Sequence, residues 1–350
     1  MNLTGMPGVF HTLRLIIFLV FFSCIPGQVF GQPHSIIATA PLQGERFTVS
    51  ESILFRVQTP LNGDSYSWTS NIDGNLGSGN LIHKKLSQGN HVISVSGEGG
   101  KASITVRVFP NLWELYQSPL SETELARLQK DIKFNWADGV SADEKWGTYD
   151  SAEFDTSSPN PGKTAVYARF DLLRHQHFSE PLPFSSGKSI FEYVKNLTSR
   201  VNLKLNCEYN NAGGRILNLN RAFSVWDIRE SGTAQNPNAC KNYPPRRAVS
   251  DYVSPLYLLI HETRHNDSQD PGHIIVNGRQ MDSSLENGSG HAYAALYLMW
   301  VYKYGIDDPP FIKGMAKREA QNLLKERFRQ RPSHSDPKVQ SIIDELLGQK

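Results

Sequence analysis

His261-Glu262-Thr263-Arg264-His265 sets two imidazoles four residues apart with a carboxylate beside the first. On a helix this spacing brings the two rings to within about 40° of each other on one face, a turn apart, where they can share a divalent ion. Glu262 projects near that face without being forced among the ligands, so it can take a proton from water at the ion. Zinc suits such chemistry, because it lowers the pKa of bound water to ~7 and polarises a carbonyl oxygen. The pattern therefore points to attack by metal-activated water, with His261 and His265 as metal ligands and Glu262 as general base.

A catalytic zinc keeps three protein ligands. His273 lies eight residues beyond His265, across Asp270-Pro271-Gly272, a turn sequence that can bring the chain back. It ranks first as third ligand, ahead of Glu286, His291 and Asp282. Asp267 or Asp282 can accept a hydrogen bond from a ligand histidine, which fixes the ring's tautomer and orientation. Tyr293 and His291 lie on an apolar segment expected to pack against the metal helix, and either is a candidate donor to a developing oxyanion. Arg264 falls off the metal face and is expected to form an ion pair. His175 and His177, in Arg-His-Gln-His, read as a surface pair.

The His-Glu-x-x-His string resembles the zinc signature of the zincin metallopeptidases. That resemblance implies an α+β zincin-like domain, a Zn2+ cofactor and a peptide or protein substrate. The third-ligand spacing departs from the known patterns. Metzincins place their third histidine two residues closer, beyond a glycine. Gluzincins carry a glutamate at about the distance of Glu286 but inside a second helix, whereas Glu286 here precedes Asn287-Gly288-Ser289-Gly290. The span from His261 to Asp267, with Gly272-His273, Asn277-Gly278-Arg279, Asp282 and Ala292-Tyr293, is also similar to a group of bacterial secreted proteins. The alternative function is a catalytically inactive zincin-like binding or adhesion protein.

Several elements must hold these residues. Ser254-Pro255 reads as an N-cap with proline at the first helical position, followed by the apolar run Leu256 to Ile260. After the glycines, His291 to Tyr302 reads as a second apolar helix. Ser121-Glu122-Thr123-Glu124 is a capping box opening a helix to about Asn135, and Ser189 to Arg200 is helical in pattern. Val201 to Cys207 and Arg215 to Val225 read as strands turned at Asn210 to Gly214. Lys313 to Gln330 is a charged amphipathic helix, and 138–163 is a long polar loop or flap.

Upstream, residues 35–109 alternate short β-rich runs with turn clusters such as Asn62-Gly63-Asp64 and Gly97-Glu98-Gly99-Gly100, the pattern of a small antiparallel sandwich. The stretch from Ser67 to Gly97 resembles bacterial immunoglobulin-like and PKD-type modules. This implies a spacer, or a glycan-binding or adhesion module. The expected layout is a signal peptide at 1–31, an immunoglobulin-like β-sandwich at 32–109 and a zincin-like domain at 110–350.

The leader reading rests on the apolar run Leu15 to Ile25 after Arg14, too short to span a bilayer comfortably, with Gly31 suiting cleavage before Gln32. It places the protein outside the cytoplasm, extracellular or periplasmic. Cys24 is a poor match to a lipid-attachment site, and no other stretch is long and apolar enough to cross a membrane. Cys207 and Cys240 then remain, and in an oxidising compartment they are expected to form a disulfide. With 36 Lys+Arg against 34 Asp+Glu, the net charge of +2 gives no electrostatic case for nucleic acid.

Overall fold

The structure is a computed structural model and describes residues 36–58, 66–136, 163–203, 211–219 and 250–348. The leader, Cys24, Cys207, Cys240, the 138–162 loop and the strand residues beyond Leu219 lie outside the described residues. Ser35–Lys350 form one compact unit. It has a β-rich N-terminal region and a mixed, mainly helical remainder.

Among the described residues eight strands come first: β1 (Ala38–Ala40), β2 (Glu45–Thr48), β3 (Ile53–Val57), β4 (Ser67–Ser70), β5 (Gly74–Ser78), β6 (Leu81–Lys84), β7 (Gly89–Gly97) and β8 (Gly100–Phe109). They make a five-stranded sheet in the order β2-β8-β7-β4-β5 and a three-stranded sheet in the order β1-β3-β6. Within β3, Ile53, Phe55 and Val57 alternate inward. They share one core with Trp68, Ile93, Val95, Val106 and Val108 from the larger sheet. Period-two patterning thus places one face of each sheet in a common interior.

A second core begins with α1 (Leu112–Tyr116), α2 (Glu122–Asp131) and, after β9 (Phe134–Trp136), α3 (Lys163–His175) and α4 (Ile190–Leu197). The capping box forms as expected. Ser121 accepts from the Glu124 amide, and the Glu124 carboxylate accepts from the Ser121 amide. The helix ends at Asp131, because the chain must become extended to enter β9. Next come β10 (Arg200–Leu203), β11 (Asn211–Gly213) and β12 (Ile216–Leu219). The expected pairing through a turn at Asn210 to Gly214 needs correction. β10 runs parallel to β12, and the turn sequence itself supplies β11, antiparallel to β12.

The two cores are joined by a buried charge network. Arg46, on β2, donates from Nε to both Glu124 oxygens at 3.1 and 2.9 Å and from Nη2 to Asp171 at 2.6 Å. Its Nη1 reaches the carbonyls of Leu115 and Ser118. Five donors in a planar fork suit this many acceptors, which a lysine could not serve. His175 is not a surface residue. It ends α3, is 2% exposed, and lies 3.0 Å from Glu51 and 3.5 Å from Asp171. His177 remains partly exposed, 3.7 Å from Glu51. Burial alone would lower the His175 pKa, but the two carboxylates outweigh it and raise it to about 10, while Glu51 falls to about 2.

Among the described residues four further helices follow: α5 (Ser250–Arg264), α6 (Gly290–Tyr304), α7 (Pro310–Glu326) and α8 (Pro337–Leu346), with a hairpin of β13 (Ile274–Val276) and β14 (Arg279–Met281) after α5. The helix that carries the histidines starts earlier than Ser254, leaving Pro255 inside it. Tyr252 and Val253 are buried, so the apolar face extends upstream, and tertiary packing outweighs proline's missing N–H. The Tyr252 hydroxyl donates to Asp308 at 3.1 Å. α6 is apolar nearly all round and packs against both α5 and α7.

Candidate metal centre

Three imidazoles converge at the end of α5. The Nε2 atoms of His261 and His265 are 3.4 Å apart, and Nε2 of His273 is 3.2 Å from that of His261. Ligand atoms of all three lie within 4.8 Å of one another. Imidazole nitrogens ~2.0–2.1 Å from a tetrahedral zinc would stand roughly 3.3–3.4 Å apart, so the two measured separations match that geometry.

Local chain chemistry explains how His273 arrives. α5 stops at Arg264, and the chain reverses through Asp270-Pro271-Gly272, with Gly272 at φ +71°. In that left-handed region glycine carries no steric penalty. The β13–β14 hairpin turns on Asn277-Gly278, both at positive φ, as a two-residue type I′ connection demands. Its register pairs Ile274 with Met281. The next positions outward are His273 and Asp282, and His273 Nδ1 lies 2.6 Å from Asp282 Oδ1. The hairpin therefore sets the carboxylate that orients the third histidine.

Asp282 is itself fixed on every side. It is fully buried, its Oδ2 accepts from the Ala292 amide at 2.8 Å, and its backbone bonds to Arg327 and Arg329 just past α7. His265 has an equivalent support. Its Nδ1 lies 2.8 Å from Asp270 Oδ2, and the Ser289 hydroxyl donates to Asp270 Oδ1 at 2.6 Å. Burial raises the Asp270 pKa, but the bonds from Ser289 and His265 outweigh it and hold the group ionised. With Nδ1–H donating to carboxylate, the Nε2 atoms of His265 and His273 carry lone pairs aimed into the same space. Each can accept from an N–H of the neighbouring His261 ring or bind a cation. Burial, then the neighbouring histidines, holds His261 neutral at a pKa well below 6.5, the form in which imidazole binds metal.

Two glycines let α6 close over this cluster. A Cβ on Gly290 would lie 2.8 Å from atoms of the His261 ring, and one on Gly288 would lie 2.3 Å from the Ser284 carbonyl and 2.9 Å from Asp282 Oδ2. Any side chain at either position would push the α6 N-terminus away. His291, in the first turn of α6, packs 4.5 Å, centroid to centroid, from both His261 and His273.

The other expected site residues are placed as follows. Glu262 is 4% exposed on α5, next to His261 in the sequence. Glu286 is exposed and accepts from Ser335, so it stands apart from the cluster. Asp267 pairs with Arg264 at 2.7 Å instead of supporting a histidine. Arg264 also lies over the Tyr293 ring at 4.3 Å, and that ring stacks on Tyr193 and meets Phe184. Burial raises the Tyr293 pKa, so its hydroxyl keeps its proton. Sequence reasoning missed Asp270 as the partner of His265 and Ser289 behind it. The available signal was an acid in the short loop between the second and third histidines.

No family model matches the chain, and no curated protein matches it. The fold and site therefore define a class only by their own features: an α+β chain with a converging histidine triad on a buried helix and its hairpin.

Proposed function

We propose that the protein is a secreted zinc-dependent metallopeptidase of zincin-like type, preceded by an immunoglobulin-like β-sandwich. The single observation that carries this reading is the meeting of His261, His265 and His273 at metal-ligand spacing, with Asp270 and Asp282 behind two of them. The donor set fits zinc: three imidazoles, two of them with a carboxylate on the far nitrogen. A zinc ion held there would supply charge to polarise an amide carbonyl and would activate water at neutral pH.

The chain's own residues have distinct tasks in this reading. Asp270 and Asp282 hold the rings of His265 and His273 in one tautomer and one orientation. Glu262 accepts the proton of the attacking water and later delivers it to the leaving amine. Tyr293, the sequence candidate for an oxyanion donor, packs with Arg264, Tyr193 and Phe184 and takes no step in this reading. The two sheets and their shared apolar core support the sandwich reading of the N-terminal region. Its role in this proposal is to attach or space the enzyme, through a glycan or protein partner.

The test is Glu262→Gln in zinc-loaded protein, assayed on a peptide library. Metal content should equal that of the wild type while hydrolysis falls by at least about 10²-fold. A variant as active as the wild type removes Glu262 from its role. Stoichiometric zinc in a wild-type protein that cleaves nothing overturns the peptidase reading.

A further inference from the structure

Arg327 lies at the edge of the histidine cluster with no counter-ion among the described residues. The chain fixes its position, because its carbonyl accepts from the Asp282 amide at 2.8 Å and Phe328 beside it bridges to Asp282. Arg329 and Arg331 are exposed, whereas Arg327 is half-buried, and its side chain has no hydrogen bond among the described residues. Its charge reaches the cluster, acting on the His261 and His291 rings. Arginine is seldom buried without a partner, and the two acids that support the triad are engaged elsewhere. Asp270 serves His265 and Ser289, and Asp282 serves His273 and the Ala292 amide. His291 is a second unmet group. It is 9% exposed, and its buried Nε2 has no hydrogen-bond partner among the described residues. Such atoms are rare in folded proteins, and each calls for an explanation.

We propose that Arg327, with His291 beside it, binds a carboxylate of the substrate, so that the enzyme selects peptides carrying a negative charge close to the cleaved bond. The inference rests on the metallopeptidase reading and deepens it by naming the substrate class. A guanidinium offers two parallel N–H groups to the two oxygens of a carboxylate, and partial burial strengthens the pair by excluding water. A neutral imidazole with its proton on Nε2 supplies a further donor. Because Arg327 is tied through Asp282 to the support of His273, the bound charge is held at a fixed offset from the metal-facing nitrogens. A ligand held so is positioned for attack at one bond of the chain. The carboxylate has two sources, a free C-terminus and an acidic side chain, and the same donors serve either.

The experiment uses full-length, zinc-loaded protein and one cleaved peptide made in three forms: with a free C-terminus, amidated, and amidated with a glutamate next to the cleaved bond. Wild type should favour a charged form over the neutral amide by at least about 10-fold in kcat/KM. Preference for the free acid marks C-terminal selection, and preference for the glutamate form marks side-chain selection. Arg327→Gln, which keeps the backbone ties to Asp282 and is checked for folding by circular dichroism, should abolish the preference through KM, and Arg327→Lys should restore part of it. A readout without turnover is calorimetric binding of benzoylglycine and benzoylglycinamide, with and without zinc. Affinity for the acid should fall at least about 10-fold in Arg327→Gln, and affinity for the amide should not. A wild type that treats charged and neutral peptides alike overturns the carboxylate site, as does an acid affinity that survives Arg327→Gln. Acid binding that depends on Arg327 in a protein that cleaves nothing upholds the site and overturns the peptidase reading alone.

Discussion

Replacing His273 with alanine removes one of three nitrogens from the proposed centre while leaving α5 untouched, because His273 lies beyond the helix on the approach to β13. Zinc bound by a full ligand set is worth roughly 10–16 kcal/mol in small structural sites, so each ligand carries about 3 kcal/mol. That corresponds to a loss of about 10²-fold in affinity. Asp282→Asn should cost less, about 10–100-fold, since it weakens the support of His273 but leaves the ligand in place. Glu286→Ala should change nothing, because Glu286 is exposed and bonds Ser335 instead of the cluster. The assay is competition against a chromogenic chelator at fixed pH, with circular dichroism to show that each variant is folded. The reasoning fails if His273→Ala binds zinc as tightly as the wild type, or if Glu286→Ala is the variant that loses it.

Gly290→Ala should destabilise the protein by about 1–3 kcal/mol through overpacking against His261, and should weaken zinc binding in the same chelator assay. Arg46→Leu should lower denaturant-measured stability by about 3–5 kcal/mol, since Glu124 and Asp171 would be left buried without their cation. The Glu51–His175 pair gives a pH window. His175 is raised to about 10 when folded, so its contribution is complete below pH ~6.5 and fades as pH climbs towards 10. Glu51 is lowered to about 2, so its contribution is complete above pH ~4.5 and fades as pH falls towards 2. Stability followed by urea titration should lose its alkaline decline, by a few kcal/mol, in Glu51→Gln/His175→Leu relative to the wild type.

The parts of the fold legible in the sequence were those governed by short-range chemistry. Ser121 and Glu124 specify a helix start by reciprocal bonds within four residues, and Ile53, Phe55 and Val57 specify a sheet face by alternation alone. The triad was legible for the same reason, since His261 and His265 need only a helix and His273 only a turn. Spacing ranked His273 ahead of Glu286, and the structure agrees, with His273 among the histidines and Glu286 bonded to Ser335. The Asn277-Gly278 connection is a strong hairpin signal, and reading it would have paired His273 with Asp282 in advance. Pro255 misled because a local rule about helix starts competed with the packing of Tyr252 and Val253. The Arg46 network was not legible at all. Glu124 and Asp171 lie 78 and 125 positions from their partner, and nothing local marks a charge destined for burial.

The ties from Asp282 to Arg327 and Arg329 carry a consequence for biogenesis. The aspartate that steadies His273 is held by a stretch of chain made long after it. A polypeptide still emerging from the ribosome has all three metal-facing histidines well before it has the strap that fixes one of them. If the centre holds zinc as proposed, tight binding requires translation to have passed Arg329, and C-terminal truncations that remove this strap should yield a chain that captures zinc loosely, however intact the helix with His261 and His265.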